Sequence, residues 1–81
     1  MARTLAEMMQ GCRVRISGTR PGAGAVRQRL LDMGVTRGTE LLIERVAPLG
    51  DPIEVFIKGY HLAIRRAEAA CIEVQECEEE A

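Results

Sequence analysis

Apolar and polar residues alternate along five segments of this chain, which is the pattern of strands that bury one face. Each segment is short, and glycine or proline lies between most of them. The pattern therefore predicts five strands around one core. The segments are 13–16, 39–46, 53–58, 62–64 and 72–74. The residues expected to face inward are Val14, Ile16, Leu41, Ile43, Ile53, Val55, Ile57, Ile72 and Val74.

A different period interrupts the strands over residues 25–33. Val26, Leu30 and Met33 recur at helical spacing, and Leu31 is expected to widen that apolar stripe. Gly34 is placed to end the helix in a left-handed conformation. We expect the helix to be inserted between the first two strands, with three polar residues facing water: Arg27, Gln28 and Asp32.

The connecting segments have the composition of turns. Ser17–Gly24 is predicted to be a loop, Ala47–Pro52 to close a hairpin, and Gly59–His61 to form a turn or bulge. Arg65–Ala70 is expected to form one helical turn. Thr4–Glu7 has the spacing of a capping box, which predicts a short helical turn near the N-terminus. Together these elements predict a mainly β fold, a small and partly open barrel.

The chain has 81 residues, enough for one small domain. With no Trp, one Tyr and one Phe, its core must be aliphatic. Residues 1–72 carry all 11 basic groups and 7 acidic ones, whereas residues 73–81 carry 5 acidic groups and no basic one. We expect a domain over residues 1–75 and an acidic flexible tail over residues 76–81.

The compartment is expected to be cytoplasmic. No apolar run reaches the roughly 18 residues that a membrane span needs, and the N-terminus lacks the apolar segment of a signal peptide. Three cysteines without framework spacing, Cys12, Cys71 and Cys77, suit a reducing compartment.

No catalytic constellation is found in the sequence, so we expect no enzyme activity and no cofactor. His61, beside a glycine, is the single histidine. It forms a conceivable metal site with Cys71 and Cys77, although the spacing of these cysteines matches no common zinc motif. The acidic groups at the C-terminal end could instead capture cations weakly, or simply keep the protein soluble; they are Glu73, Glu76, Glu78, Glu79 and Glu80. The glycine-rich loop lacks the ending of a phosphate-binding loop.

Four segments resemble the FeoA family, in order and without gaps. Leu30–Gly38 resembles the family's LxxMGhxxG signature, and Ala47–Ile53 its loop between central strands. Gly59–Arg66 resembles its next turn and strand, and Ala69–Val74 its closing strand. One departure is Thr36-Arg37, where the family often has a proline before the second glycine. The resemblance covers about residues 4–75.

The resemblance implies an SH3-like β-barrel of about five strands with an inserted helix. It also implies a small accessory protein of bacterial ferrous iron uptake, which reaches the membrane only through its partner, the transporter FeoB. The alternative is a self-associating adaptor or regulatory domain, related to the C-terminal domain of iron-dependent repressors and binding metal weakly. Nucleic-acid binding is not expected, because the chain has few aromatic residues to stack on bases.

Partner contact is expected on one of two surfaces. Phe56 and Leu42 fall on the outward side of their strands, and if these strands pair they form an exposed apolar patch. A cover over Phe56 by the proline-containing loop or by the N-terminal turn is the competing hypothesis. The second candidate surface is the outer face of the helix, with Arg27 and Asp32.

Overall fold

The structure, a computed structural model, describes residues 3–77. Within these residues the chain forms six strands, two α-helices and one 3₁₀ turn. In chain order they are β1 (Arg3–Thr4), the 3₁₀ turn (Leu5–Glu7), β2 (Arg13–Thr19), α1 (Gly24–Asp32), β3 (Glu40–Val46), β4 (Ile53–Ile57), β5 (Tyr60–Ile64), α2 (Arg66–Ala69) and β6 (Ile72–Glu76).

All six strands belong to one antiparallel sheet, in the order β1-β6-β2-β3-β4-β5. The sheet is not closed, because β1 and β5 are its two edges. Helix α1 is inserted between β2 and β3, as the sequence predicts. The mainly β, partly open architecture is therefore confirmed.

The core is aliphatic and lies on the inward side of the alternating strands. Every residue predicted to face inward is buried: Val14, Ile16, Leu41, Ile43, Ile53, Val55, Ile57, Ile72 and Val74. Helix α1 adds Val26 and Leu30 to this core, while Met33 is partly buried against it. The prediction for Leu31 is wrong, since its side chain is 44% exposed. It lies one position past Leu30, and the buried stripe of this helix is too narrow to include both.

The turn after α1 follows its predicted form. Gly34 has φ +83°, and its amide donates to the carbonyl of Leu31. The amide of Val35 then bonds to the carbonyl of Leu30, which folds Val35 back onto the helix end, where it is buried. This turn fixes where β3 begins relative to the helix.

Strand β2 extends further than the sequence indicates, because part of the segment predicted to be a loop is a strand. Residues 17–19 continue the pairing with β6 after a register shift between Ile16 and Gly18. Such a shift is a bulge, and bulges accept glycine within a strand. A Cβ on Gly18 would approach a carboxylate oxygen of Glu73 to 3.2 Å, a contact that a small shift of this flexible side chain relieves.

The turn between β4 and β5 lies one residue earlier than predicted. Lys58 and Gly59 form the turn, both with positive φ (53° and 82°), whereas Tyr60 and His61 are the first residues of β5. Two consecutive residues of positive φ form the tight turn that matches the twist of a hairpin. The assignment of Tyr60 and His61 to a turn or bulge is therefore wrong.

Both ends of the described chain meet at the sheet. Strand β1, which the sequence does not predict, pairs with β6, and Arg3 forms a 2.7 Å ion pair with Glu76. Beyond the end of β6, the amide of Cys77 donates to the carbonyl of Arg13. Residues 78–81 of the expected tail lie outside the described residues, so the boundary at residue 75 remains a prediction.

No helix within residues 3–77 has the length and apolar character needed to cross a membrane. The longest helix in this range, α1, has 9 residues.

Replacement of Leu30 is expected to destabilise the domain. Leu30 is 5% exposed, and removal of such a side chain costs about 2–5 kcal/mol through lost burial and the cavity left behind. Urea denaturation of Leu30→Ala should show this loss. Leu31→Ala, the neighbouring change on the exposed side, should cost about 0.5 kcal/mol or less. Equal losses in both variants would contradict the described orientation of the helix.

Acid is expected to weaken the N-terminal cap. The amide and hydroxyl of Thr4 donate to the Glu7 carboxylate at 2.9 and 3.0 Å, and these bonds lower the pKa of Glu7. A lowered pKa in the folded state stabilises the protein above the ordinary pKa, and that contribution is lost as pH falls through the lowered value. The stability difference between wild type and Glu7→Gln should therefore shrink on acidification. Glu40→Gln is a control at an exposed strand position. A gap that widens towards low pH would contradict the assignment.

Candidate partner-binding site

Four outward side chains lie in one row across the sheet. Arg13 of β2 is opposite Leu42 of β3, Leu42 is opposite Phe56 of β4, and Phe56 is opposite His61 of β5. The row, called here the outer-face row, follows from strand alternation, because burial of Val55 and Ile57 turns Phe56 to the other face. The strands carrying Leu42 and Phe56 thus pair as the patch hypothesis requires.

The apolar centre of this row is accessible. Phe56 is 38% exposed, and Leu42 is half-buried beside it. Neither the proline-containing loop nor the N-terminal turn, the covers of the competing hypothesis, therefore buries Phe56. A shallow hollow of about 360 Å³ adjoins these two side chains and is also lined by Arg13 and Lys58.

Polar groups form one side of the patch. The ring of His61 lies 4.8 Å from that of Phe56, centre to centre, at an angle of 48°. Nδ1 of His61 is 2.7 Å from a carboxylate oxygen of Glu44, and this contact holds the imidazole against Phe56. The result is an exposed aromatic ring with a hydrogen-bonded polar neighbour, and aromatic residues are enriched at protein interfaces. Strand alternation alone does not identify the roles of His61 and Glu44, because they depend on the register of three strands.

The second candidate surface lies on the helix side. Arg27 lines a groove of about 350 Å³ between α1 and β2, together with Leu31 and Arg37. Asp32 is exposed and accepts a hydrogen bond from Gln28, one turn earlier in the helix. Asp32 does not line the groove with Arg27. The outer face of the helix, with Arg27 and Asp32, therefore stays a prediction as a contact surface. The groove itself, with Leu31 on its rim, is not predicted from the sequence.

The conceivable metal site of His61, Cys71 and Cys77 is not assembled. Within residues 3–77, no three His, Cys, Asp or Glu side chains are grouped in a way that could hold a metal ion. The thiol of Cys71 instead lies 3.6 Å from the carbonyl oxygens of Pro21 and Ala67. Cys12, Cys71 and Cys77 are all half-buried.

Two of the acidic groups considered for cation capture have basic partners. Glu73 lies 3.1 Å from the guanidinium of Arg20, and Glu76 lies 2.7 Å from that of Arg3. The remaining three, residues 78–80, are outside the described part of the chain. Weak cation binding by the tail therefore stays a prediction.

Comparison with solved structures shows close similarity over nearly the whole chain. An FeoA protein from Chlorobium tepidum is 40% identical, with a TM-score of 0.84 over 98% of this chain and 74% of that one. An FeoA-like protein from Clostridium acetobutylicum is 39% identical, with a TM-score of 0.82 over 99% and 92%. A zinc complex of FeoA from Stenotrophomonas maltophilia, described as an SH3 domain protein, is 25% identical, with a TM-score of 0.76 over 91% of each chain. The SH3-like fold is thereby confirmed.

Comparison with curated proteins gives a relative of much greater length. A fusion of Fe(2+) transport protein A and the Fe(2+) transporter FeoB from Porphyromonas gingivalis is 41% identical over 54 residues. That match covers 67% of this chain but only 6% of the fusion protein. IdeR from T. acidophilum, at 21% identity and a TM-score of 0.79 over 94% of this chain and 34% of that one, shares the fold.

The family model for the FeoA domain matches residues 3–76, which is almost the whole of the described structure. The resemblance read from Leu30–Gly38 and the later segments is confirmed by this match. The chain belongs to the FeoA family.

Proposed function

We propose that this protein is a cytoplasmic accessory protein of ferrous iron uptake that acts by contact with the FeoB transporter. The observation that carries the proposal is the fusion relative, whose name joins Fe(2+) transport protein A to FeoB. Domains held on one polypeptide meet at high effective concentration, so a pair that acts together as one chain is a good candidate for contact as two chains. In this proposal the protein approaches the membrane only through FeoB.

The outer-face row is the favoured contact surface. Phe56 supplies an exposed aromatic side chain next to the half-buried Leu42, and interface centres are enriched in aromatic residues. Arg13 and the bonded pair of His61 and Glu44 supply a polar rim that orients a partner. Substitution here need not disturb the fold, because the core uses the opposite face of these strands.

The helix surface is the alternative contact. Its groove has apolar side chains from α1 and one carboxylate, that of Glu73, which pairs with Arg20. Within residues 3–77, neither Arg27 nor Arg37 forms an ion pair. These two arginines suit an acidic partner surface. Arg27 lines the groove and Asp32 does not, so single substitutions can separate their contributions.

The substitution Phe56→Glu is expected to weaken binding to the cytosolic part of FeoB by about tenfold or more, since an unpaired carboxylate would be buried in an apolar contact. Co-purification and titration calorimetry, with and without nucleotide, measure the effect. The control is Leu49→Glu, which changes a 94% exposed leucine in the loop between β3 and β4. It should bind like wild type.

Wild-type affinity in a folded Phe56→Glu variant would exclude the outer-face row. Arg27→Glu and Asp32→Lys then test the helix surface, and loss of binding in either would place the contact there. Circular dichroism and denaturation of each variant establish that a loss of binding is not a loss of fold. If every variant and wild type fail to bind FeoB in any nucleotide state, the proposed partnership is wrong.

A further inference from the structure

Strand β5 is an edge of the sheet, and β4 is its neighbour there. The two-residue turn Lys58–Gly59 makes Ile57 and Tyr60 a hydrogen-bonded pair. Hydrogen-bonded and non-hydrogen-bonded pairs alternate along an antiparallel ladder. The backbone groups of His61 and Ala63 therefore point away from β4, towards the free edge. Within residues 3–77, no loop or helix forms a backbone hydrogen bond with either residue.

This edge lacks the features that usually prevent pairing between sheets. Soluble proteins protect edges with short strands, lysine, proline, bulges or a covering segment. The other edge, β1, is two residues long and carries Arg3. Strand β5 has five residues, continuous register and no proline, lysine, arginine or carboxylate. His61 and Ala63 are both exposed, and the nearest charges, on Lys58 and Arg65, flank the strand without interrupting it.

We propose that β5 pairs with β5 of a second copy of this chain, antiparallel and about a two-fold axis at Leu62. In this register His61 of each copy lies opposite Ala63 of the other. Both residues have free backbone donors and acceptors, so the two pairs form four N–H···O=C bonds. The half-buried Leu62 side chains of the two copies meet at the axis.

A second copy is favoured over a strand of another protein because it brings an equally unprotected strand with the same free backbone groups. The two outward residues are placed evenly about Leu62, so the strand is complementary to itself, as a two-fold interface requires. Within β5 the pairing sets His61 against alanine and leucine against leucine, with no like charges directly opposite. Just outside the strand, Lys58 of one copy lies level with Arg66 of the other, which weakens the dimer. A five-residue edge is small beside a standard interface, and the dimer is accordingly weak and dependent on concentration. The proposal does not rest on the partnership with FeoB.

Sedimentation of the full chain over a wide concentration range tests the dimer. Ala63→Pro removes an outward amide but no bond to β4, and Ala63→Lys places a charge on the edge. Both should raise the dissociation constant at least about tenfold, which corresponds to roughly the loss of one or two backbone bonds. The control Ala25→Lys makes the same change at an exposed position of α1 and should associate like wild type. A wild type that stays monomeric throughout, or Ala63 variants that associate like wild type, would overturn the proposal.

Amide hydrogen exchange followed by NMR tests the same pairing without mutation. The amides of Tyr60, Leu62 and Ile64 are bonded to β4 in the monomer, whereas those of His61 and Ala63 should gain protection only as concentration rises. Exchange at His61 and Ala63 that is independent of concentration would refute edge pairing. Association that Phe56→Glu abolishes while these amides stay unprotected would assign the dimer to the outer-face row instead. Protection that FeoB alone produces would assign the edge to a different protein.

Discussion

Strand β2 hydrogen-bonds to β3 along one edge and to β6 along the other, and the rest of the structure depends on this double pairing. Without it the sheet would separate into β3-β4-β5, built from consecutive hairpins, and β1-β6, built from the two ends of the chain. The pairing with β6 spans most of the sequence, so its loop-closure entropy must be offset by the core that it completes. The bulge after Ile16 lets the strand bend between the two pairings, and α1 then covers the core beside it.

The parts of the fold that the sequence predicts well are those determined by neighbouring residues. Alternation identifies which residues of β3 and β4 are buried, and the period of α1 identifies Val26 and Leu30. The parts that it does not predict depend on distant partners. Strand β1 has two residues and exists through pairing with β6, and residues 17–19 are a strand because β6 lies beside them. In the sequence, residues 17–19 are followed by glycine, proline and polar residues, which is the composition of a loop.

The candidate site likewise has a part that the sequence predicts and a part that it does not. That Phe56 and Leu42 face outward follows from the period of two, and that they lie side by side follows once β3 and β4 pair as a hairpin. The contribution of His61 was not predictable, because it depends on the position of the turn. Moving the turn to Lys58–Gly59 brings His61 into β5, opposite Phe56 and within 2.7 Å of Glu44. With the turn at its predicted position, His61 is an isolated surface residue. With the turn one residue earlier, as observed, His61 belongs to the patch.

The alternation of residues along β4 and β5 gives separate physical roles to the core, the outer face and the edge of the sheet. The inward side chains of β4 supply the core, and its outward Phe56 supplies the exposed patch. In β5 the same alternation acts on the backbone: Tyr60, Leu62 and Ile64 bond to β4, which leaves the groups of His61 and Ala63 available. His61 therefore belongs to both surfaces, with its ring against Phe56 and its backbone at the free edge. The proposed contact at the face and the proposed pairing at the edge would therefore use different atoms of His61, the ring and the backbone.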